Sequence, residues 1–413
     1  MNIAPDSLQQ TLTLILAGGQ GERLFPLTKD RSKPSVPFAG SYRIIDFTLS
    51  NCINSGLRHI YVLTQYKSQS LNRHIRDGWN LLSPELREFI ETVPPQKRTH
   101  SRWYEGTSDA VYQNVFLLEQ RKPVRTLILS GDHIYRMDYR ELLEFHIRKE
   151  SEVTIASFVF PSEKARPFGV MQVDEEGRVL NFVEKPEHPP EIPERPGYSL
   201  INMGVYVFNT PRLVRAVIDD HKNIHSQFDL GKNVLPQLVR EGEAAVYAYP
   251  FGGDGSSNYW RDVGGLSSYY SASMDLLDEE VSIDLFSRDW PFRSASQQWP
   301  PCRLNINPNT QSGISRSLIS NGCRIEGNLH RCIMSPGVSV GENSILDGCI
   351  VFHETRIGRN CHIRNAIIDK NVVIPDGCVI GGDPERDGRQ FLVADHHLVV
   401  IPKGMMVEKQ TGA

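Results

Sequence analysis

The sequence predicts an α/β domain built on a mostly parallel sheet with helices on both faces, followed by a parallel β-helix. Three observations carry this. The chain has 413 residues, and a single apolar core stops growing near ~250–300, so two domains are favoured over one. Over roughly the first 280 residues, short apolar runs alternate with amphipathic stretches, as strands and helices do in a layered fold. The remainder carries aliphatic residues at six-residue intervals, the signature of stacked coils.

Taken in order, segments 12–16 (LTLIL), 60–63 (IYVL), 127–129 (LIL), 153–160 (VTIASFVF) and 179–183 read as strands. Segments 109–119 and 139–149 read as helices, the second with Leu142, Leu143, Phe145 and His146 on one apolar stripe. In such sheets ligands bind beyond the carboxyl ends of the strands, so motifs placed there matter most. Residues 289–303 hold Trp290, Pro291, Trp299, Pro300 and Pro301 without periodicity. They are expected to form a linker between a first domain, 1–288, and a second, 304–413. In the second, Ile345, Val351, Ile357 and Ile363 are spaced by six, and after a one-residue slip Ile368, Ile374 and Ile380 continue the period. Gly341, Gly358 and Gly377 punctuate the intervals. A parallel β-helix stacks such residues into one ladder; a β-sandwich of short strands is the alternative. Cys323, Cys332, Cys349, Cys361 and Cys378 sit beside the aliphatic positions and read as small core residues, not metal ligands.

Composition excludes several classes. Lys and Arg number 45 against 49 Asp and Glu, a formal net charge of −4, which offers no global field for nucleic acid. Ordinary apolar content (39%) argues against disorder. No stretch of ~18 apolar residues is present, so no membrane span is expected. Residues 12–17 are too short a run for a signal segment, and the seven cysteines are nowhere paired as CxxC. A reduced, cytoplasmic protein is the expectation.

Three motifs can do chemistry. After the first strand comes Gly18-Gly19-Gln20-Gly21-Glu22-Arg23-Leu24. Such a turn is either a plain strand–helix connection or a nest of backbone N–H groups for phosphate. Leu24 where a third glycine would stand rules out the dinucleotide fingerprint, and no Walker loop occurs. Arg23 and Lys33 nearby favour a polyphosphate. Ser130-Gly131-Asp132-His133 follows a strand directly; Asp132 either caps the next helix or holds Mg²⁺ on phosphates. A second carboxylate stands in Tyr259-Trp260-Arg261-Asp262. Glu184-Lys185-Pro186 is either an exposed turn or a pair in which Lys185 binds a monophosphate and Glu184 accepts from sugar hydroxyls. No HExxH spacing occurs among the histidines. The basic run 97–102 beside Trp103 and Tyr104 reads as a solvated loop near a phosphate-bearing ligand.

These motifs, in this order, resemble the sugar-1-phosphate nucleotidyltransferases, and within them the bacterial glucose-1-phosphate adenylyltransferase (ADP-glucose pyrophosphorylase) branch. The matching segments are LAGGQGERLFPLT (16–28), SKP (32–34), RIIDFTLSNCINSG (43–56), TQY (64–66), WYEGTSDAV (103–111), SGDHIY (130–135), FGVM (168–171), VEKP (183–186), MGVYVF (203–208) and YWRDVG (259–264). Together they run from about residue 12 to about residue 400. The resemblance implies a Rossmann-like nucleotidyltransferase sheet and a left-handed parallel β-helix of hexapeptide repeats serving oligomerisation and regulation. It implies that ATP and α-D-glucose 1-phosphate give ADP-glucose and pyrophosphate, for glycogen or a related α-glucan. A non-catalytic regulatory subunit and an enzyme with other nucleotide or sugar preference are the alternatives.

Roles carried over from the family place Gly18, Gly19 and Gly21 on the ATP phosphates, with Gln65, Gly106 and Thr107 flanking the base. Arg23 is implied to stabilise charge at the α-phosphorus, assisted by Lys33, while Asp132 and Asp262 hold Mg²⁺. Lys185 is implied to bind the phosphate of glucose 1-phosphate, and Tyr104, Gly169, Glu184 and Asn202 to lie on the hexose side. Many members have Ser where Asn202 stands, and 228–233 (FDLGKN) is an altered form of their Asp-Phe-Gly-Lys-Asp segment. A homotetramer with an anionic effector between the domains is also implied, with Arg31, Arg43 and Arg389 as anion contacts. Asp30 stands where some fructose-bisphosphate-activated relatives carry lysine.

Overall fold

The computed structural model describes residues 5–96, 103–252, 258–279, 283–305 and 313–408. The apolar run at the start forms β1 (Thr11–Ala17), buried along nearly its whole length. Leu12 and Leu14 enter the core on one face of the sheet, and Ile15 and Ala17 the core on the other. A strand covered on both faces needs such an unbroken apolar run, which is why it lacks alternation.

Around β1 lie β2 (His59–Thr64), β3 (Phe89–Val93) and β4 (Arg125–Ser130), in the order β3-β2-β1-β4 and all parallel. β5 (His133–Tyr135) leaves this sheet, which then continues through β6 (Val153–Pro161), β7 (Gly169–Val173), β8 (Val179–Glu184), β9 (Tyr198–Asn209) and β10 (Val246–Pro250). β9 is antiparallel to β4, β6 and β7, and its register with β6 breaks between Asn202 and Tyr206. The parallel half therefore carries the glycine turn, and the antiparallel half carries the Glu-Lys motif. The predicted helix over 109–119 is two helices, Thr107–Tyr112 and Val115–Arg121, broken at Gln113 and Asn114. The second predicted helix is present as Tyr139–Arg148, with Leu142, Leu143, Phe145 and His146 buried.

The C-terminal region is a stack of two- to seven-residue strands, parallel except where Leu392–Ala394 pairs antiparallel with Leu398–Ile401. Ile325, Val340, Ile357 and Ile374 lie one above another, as do Leu346, Ile363 and Ile380, and Met334, Val351, Ile368 and Ile401. One predicted ladder position is corrected: Ile345 is 39% exposed, and its neighbour Leu346 fills the interior instead. Interior residues thus follow 346, 351, 357, 363, 368, 374 and 380. Each coil takes two six-residue steps and one of five, which accounts for the slip seen in the sequence. The five repeat cysteines are buried in this interior and form no disulfide.

Within 289–303, residues 290–293 are held against α1 (Ile44–Asn54). Trp290 Nε1 donates to Asn51 Oδ1 (3.0 Å), Asn54 Nδ2 to the Pro291 carbonyl (3.0 Å) and Arg293 N–H to Ser50 Oγ (2.8 Å). A third core joins the two halves, with Phe38, Phe47 and Tyr269 on one side and Ile350, Phe352 and Val400 on the other. Beside it Arg31 Nη2 donates to both carboxylate oxygens of Asp369 at 2.8 Å, and both side chains are buried.

Candidate active site

The register Leu16↔Ser130 and Ala17↔Thr64 brings three parallel strands to one edge, where Gly18, Gly131-Asp132 and Gln65 emerge side by side. Gly21 has φ +68°, and a Cβ there would stand 2.9 Å from Cβ of Lys33. A residue other than glycine would meet both the left-handed backbone and the Lys33 stem. Gly19 faces open space. The loop borders a cleft of about 380 Å³ lined also by Lys33, Gln65, Tyr104, Gly106, Thr107, Asp132 and Asp229.

Asp262 arrives through β11 (Trp260–Asp262), which pairs antiparallel with β5 so that Asp262 stands opposite His133. The two carboxylates distant in sequence thereby converge. Lys33 Nζ donates to Asp132 Oδ2 at 2.7 Å and to Asp262 Oδ1 at 3.1 Å. His133 Nε2 lies 3.6 Å from Asp132 Oδ1 and 3.9 Å from Asp262 Oδ1. Burial alone would raise the Asp132 carboxyl. The charges of Lys33 and His133, with hydrogen bonds from Lys33 and Ser130, outweigh it and hold the group well below the usual carboxylate range. Burial would likewise lower the Lys33 ammonium, yet the two carboxylates together keep it above its ordinary value.

Donor atoms of Asp132, His133 and Asp262 lie within 4.8 Å of one another, the one such cluster of three or more His, Cys, Asp or Glu among the described residues. Two carboxylates at a strand edge, beside a cleft with cations for phosphate, suit a hard divalent cation. His133 Nδ1 is buried without a hydrogen-bond partner. The residues fit the group. Arg23 is exposed on the turn after the loop, where a Cβ on Gly264 would stand 3.0 Å from Arg23 Nη2 and 2.9 Å from Asp262 Oδ2.

Gln65 Nε2 donates to the Tyr104 carbonyl (3.1 Å) and Tyr104 N–H donates to Gln65 Oε1 (2.7 Å). Tyr104, implied for the hexose side, lines the glycine-loop cleft, its hydroxyl accepting from Asn114 Nδ2 (2.9 Å). Gly106 is needed for a close approach, since a Cβ would stand 2.1 Å from the Phe228 carbonyl oxygen. Thr107 Oγ1 accepts from Leu230 N–H (2.8 Å) and donates to Asp229 Oδ2 (3.2 Å).

Glu184 and Lys185 lie at the end of β8, where Gly169 pairs with Glu184. A Cβ on Gly169 would strike the Phe182 ring at 2.6 Å and Glu184 Oε2 at 2.7 Å. Burial raises the Glu184 carboxyl against the pull of Lys185. Lys185 holds the left-handed region at φ +51°, and its ammonium sits 3.2 Å from Glu184 Oε1. Asn202 is engaged internally: its Nδ2 donates to the Tyr206 hydroxyl and its Oδ1 accepts from Gly204 N–H, both at 2.8 Å. The segment 228–233 links the two ends of the site, because Asp229 lines the cleft while a Cβ on Gly231 would stand 3.0 Å from Glu184 Oε2. Asp229 and His133 were not singled out from sequence as site residues. The only signal was position, Asp229 in an altered motif and His133 next to Asp132.

A second cleft, of about 460 Å³, lies at the domain junction and is lined by Arg31, Arg43, Lys67, Arg73, Lys370 and Lys403, with Asp30 as its one carboxylate. Arg43 Nη1 donates to Ser70 Oγ and to the Ser70 carbonyl, both at 3.0 Å. Burial pulls the Arg43 guanidinium down to about 10, with Arg31 and Arg73 adding repulsion against the opposing Asp46. Burial, with Arg43 and Arg31, pulls the Lys370 ammonium down to about 7. Arg389, grouped with these arginines in the sequence, is exposed after the short helix Pro384–Asp387 and does not line the cleft. The basic run 97–102 lies outside the described residues.

Comparison with known proteins shows the family of the chain. The nucleotidyl transferase family matches residues 12–279, and the GlmU-like C-terminal hexapeptide family matches 300–401. A Vibrio cholerae protein named glucose-1-phosphate adenylyltransferase 2 is 45% identical over 402 residues, covering 96% of this chain and 98% of its own length. The Koribacter versatilis glucose-1-phosphate adenylyltransferase is 44% identical over 95% of each chain. That of Anaeromyxobacter is 43% identical over 97% of this chain and all of its own.

Proposed function

Since the chain belongs to the nucleotidyl transferase family, and within it to the glucose-1-phosphate adenylyltransferases, we infer that it converts ATP and α-D-glucose 1-phosphate to ADP-glucose and pyrophosphate. The observation that carries the reading is the convergence of the glycine loop, Lys33, Asp132 and Asp262 at the carboxyl edge of the parallel strands.

Glucose 1-phosphate is an anion at neutral pH, so its attacking oxygen needs no general base. The residues have to align that oxygen with the α-phosphorus, in line with departing pyrophosphate, and offset repulsion between anions. Backbone N–H groups of Gly18, Gly19 and Gly21 receive the ATP phosphates, and Gln65, Gly106 and Thr107 flank the base. Arg23 and Lys33 supply positive charge at the reacting phosphate. Lys185 holds the sugar phosphate, while Glu184, backed by Gly169, accepts from sugar hydroxyls, with Tyr104 and Asn202 as further lining of the hexose side. Asp132 and Asp262 would hold the cation, Mg²⁺ in this reading. When bound, it neutralises phosphate charge as a Lewis acid.

The junction cleft is the place for an anionic effector, with Arg31 and Arg43 as its contacts; six cations facing one carboxylate support this. Arg389 stands apart from that group. A homotetramer assembled through the β-helix and a role in α-glucan synthesis complete the reading. No helix among the described residues is long and apolar enough to cross a membrane.

The test is pyrophosphate release by the purified chain with Mg²⁺, crossing ATP, UTP, GTP, CTP and dTTP against several sugar 1-phosphates. Release confined to ATP with glucose 1-phosphate is expected. Release with another pair would reassign the substrates. Silence, with and without candidate anionic effectors, would instead favour a regulatory subunit.

A further inference from the structure

The ammonium of Lys33 bridges the two carboxylates assigned to the cation, 2.7 Å from one and 3.1 Å from the other. Its side chain is only 8% exposed. The stem is fixed as well as the tip, because Lys33 opens the short 3₁₀ turn Lys33–Ser35 and the Gly21 backbone packs against its Cβ. A divalent cation at the usual ~2.1 Å from these oxygens would stand a few ångströms from the ammonium, with like charge and little water between them. The carboxylates cannot serve both at full strength.

We propose that Lys33 is a tethered stand-in for the metal: it neutralises Asp132 and Asp262 in the ligand-free protein and is displaced by the incoming cation toward the nucleotide phosphates. The inference rests on the reading of Asp132 and Asp262 as the metal-holding pair. It gives Lys33 two successive partners. Before the cation binds, the ammonium offsets repulsion between two carboxylates that share a confined site. Afterwards it is released into the cleft it already lines with Gly18 and Gly19, where phosphate is the counter-charge. Metal and nucleotide therefore bind with positive coupling, since each supplies the partner that the other removes. The metal alone binds weakly, which keeps the site poised until nucleotide arrives.

The test titrates Mn²⁺ alone into the full chain without nucleotide, reading free Mn²⁺ by electron paramagnetic resonance. Lys33→Met is expected to bind Mn²⁺ about tenfold more tightly than the unsubstituted protein, or better, and Lys33→Arg to remain weak. Equal or weaker binding by Lys33→Met, with binding still present in both proteins, would overturn the displacement. Absence of binding from both proteins would overturn the metal-site reading beneath it. A second measurement needs no variant: acylation of Lys33, followed by mass spectrometry, is expected to rise severalfold when Mn²⁺ saturates the unsubstituted protein. Labelling unchanged by saturating Mn²⁺ would count against the proposal even if Lys33→Met failed to fold.

Discussion

At the scale of single residues, two side chains near the reacting groups are predicted to fail in different ways. In the proposed reaction, Asp132 belongs to the charge network that matters most when the α-phosphorus is attacked. Asp132→Ala is therefore expected to lower kcat by about 10²-fold or more, while KM for glucose 1-phosphate changes less than about threefold. Equal losses in both would remove Asp132 from that role. Lys185 is the residue proposed to hold the sugar phosphate. Its φ of +51° is a costly conformation for a residue with a Cβ, and its N–H donates to the Phe168 carbonyl at 3.0 Å, which holds it there. Lys185→Ala is expected to raise KM for glucose 1-phosphate about tenfold or more, with kcat within a few-fold. An unchanged KM would end that assignment.

At the scale of elements, the β-helix coil sets which aliphatic residues carry stability. Ile363 is fully buried between Leu346 below and Ile380 above. Ile345, only eighteen positions earlier and in the same six-residue series, is 39% exposed. Truncating Ile363 to Ala removes buried methylenes and leaves a cavity, at a cost of about 2–5 kcal/mol. Ile345→Ala should cost no more than about 1 kcal/mol. Urea unfolding of the β-helix transition reads the contrast, and equal shifts for the two would contradict the inward and outward assignment.

At the scale of the whole molecule, Arg31 and Asp369 pair across the two halves, and Lys370 next to them feels Arg31, Arg43 and Lys403, with Asp369 opposing. His353, held down to about 3 first by burial and then by Lys370, Arg43 and Arg31, stays neutral at physiological pH. Lys370 is lowered from 10.5 to about 7. Above pH 7 the ligand-free ammonium loses its proton, and an anion entering the cleft must restore it. Anion affinity is thus greatest below pH 7 and falls as pH rises. The same shift means that the unfolded chain binds more protons between about pH 7 and 10.5, so this group's unfavourable effect on stability fades across that window. Sulfate, whose charge is constant here, is the probe: its affinity should drop about threefold or more from pH 6 to 8.5, and Lys370→Met should flatten the profile. A flat profile in the unsubstituted protein would remove Lys370 from the cleft's response.

Much of this was legible locally. The strands at 12–16, 60–63, 127–129 and 153–160, the helix over 139–149, the glycine turn and the coil period all follow from residues within a few positions of one another, because backbone geometry repeats on that range. The sequence by itself determined those elements and which residue types stand at strand ends. It did not determine their partners. Lys33 meets Asp132 across 99 positions and Asp262 across 229, while Arg31 meets Asp369 across 338. Those meetings depend on the order of strands in the sheet, on the antiparallel pairing of β5 with β11, and on apolar surfaces that dock the β-helix beside the glycine-loop domain. Likewise Leu346 displaced Ile345 from the ladder because the stacking of neighbouring coils, rather than the six-residue period, sets which face turns inward. Charge and burial act through space, so the tertiary structure alone decided that one lysine stands between the two carboxylates and that cations from both domains line one cleft.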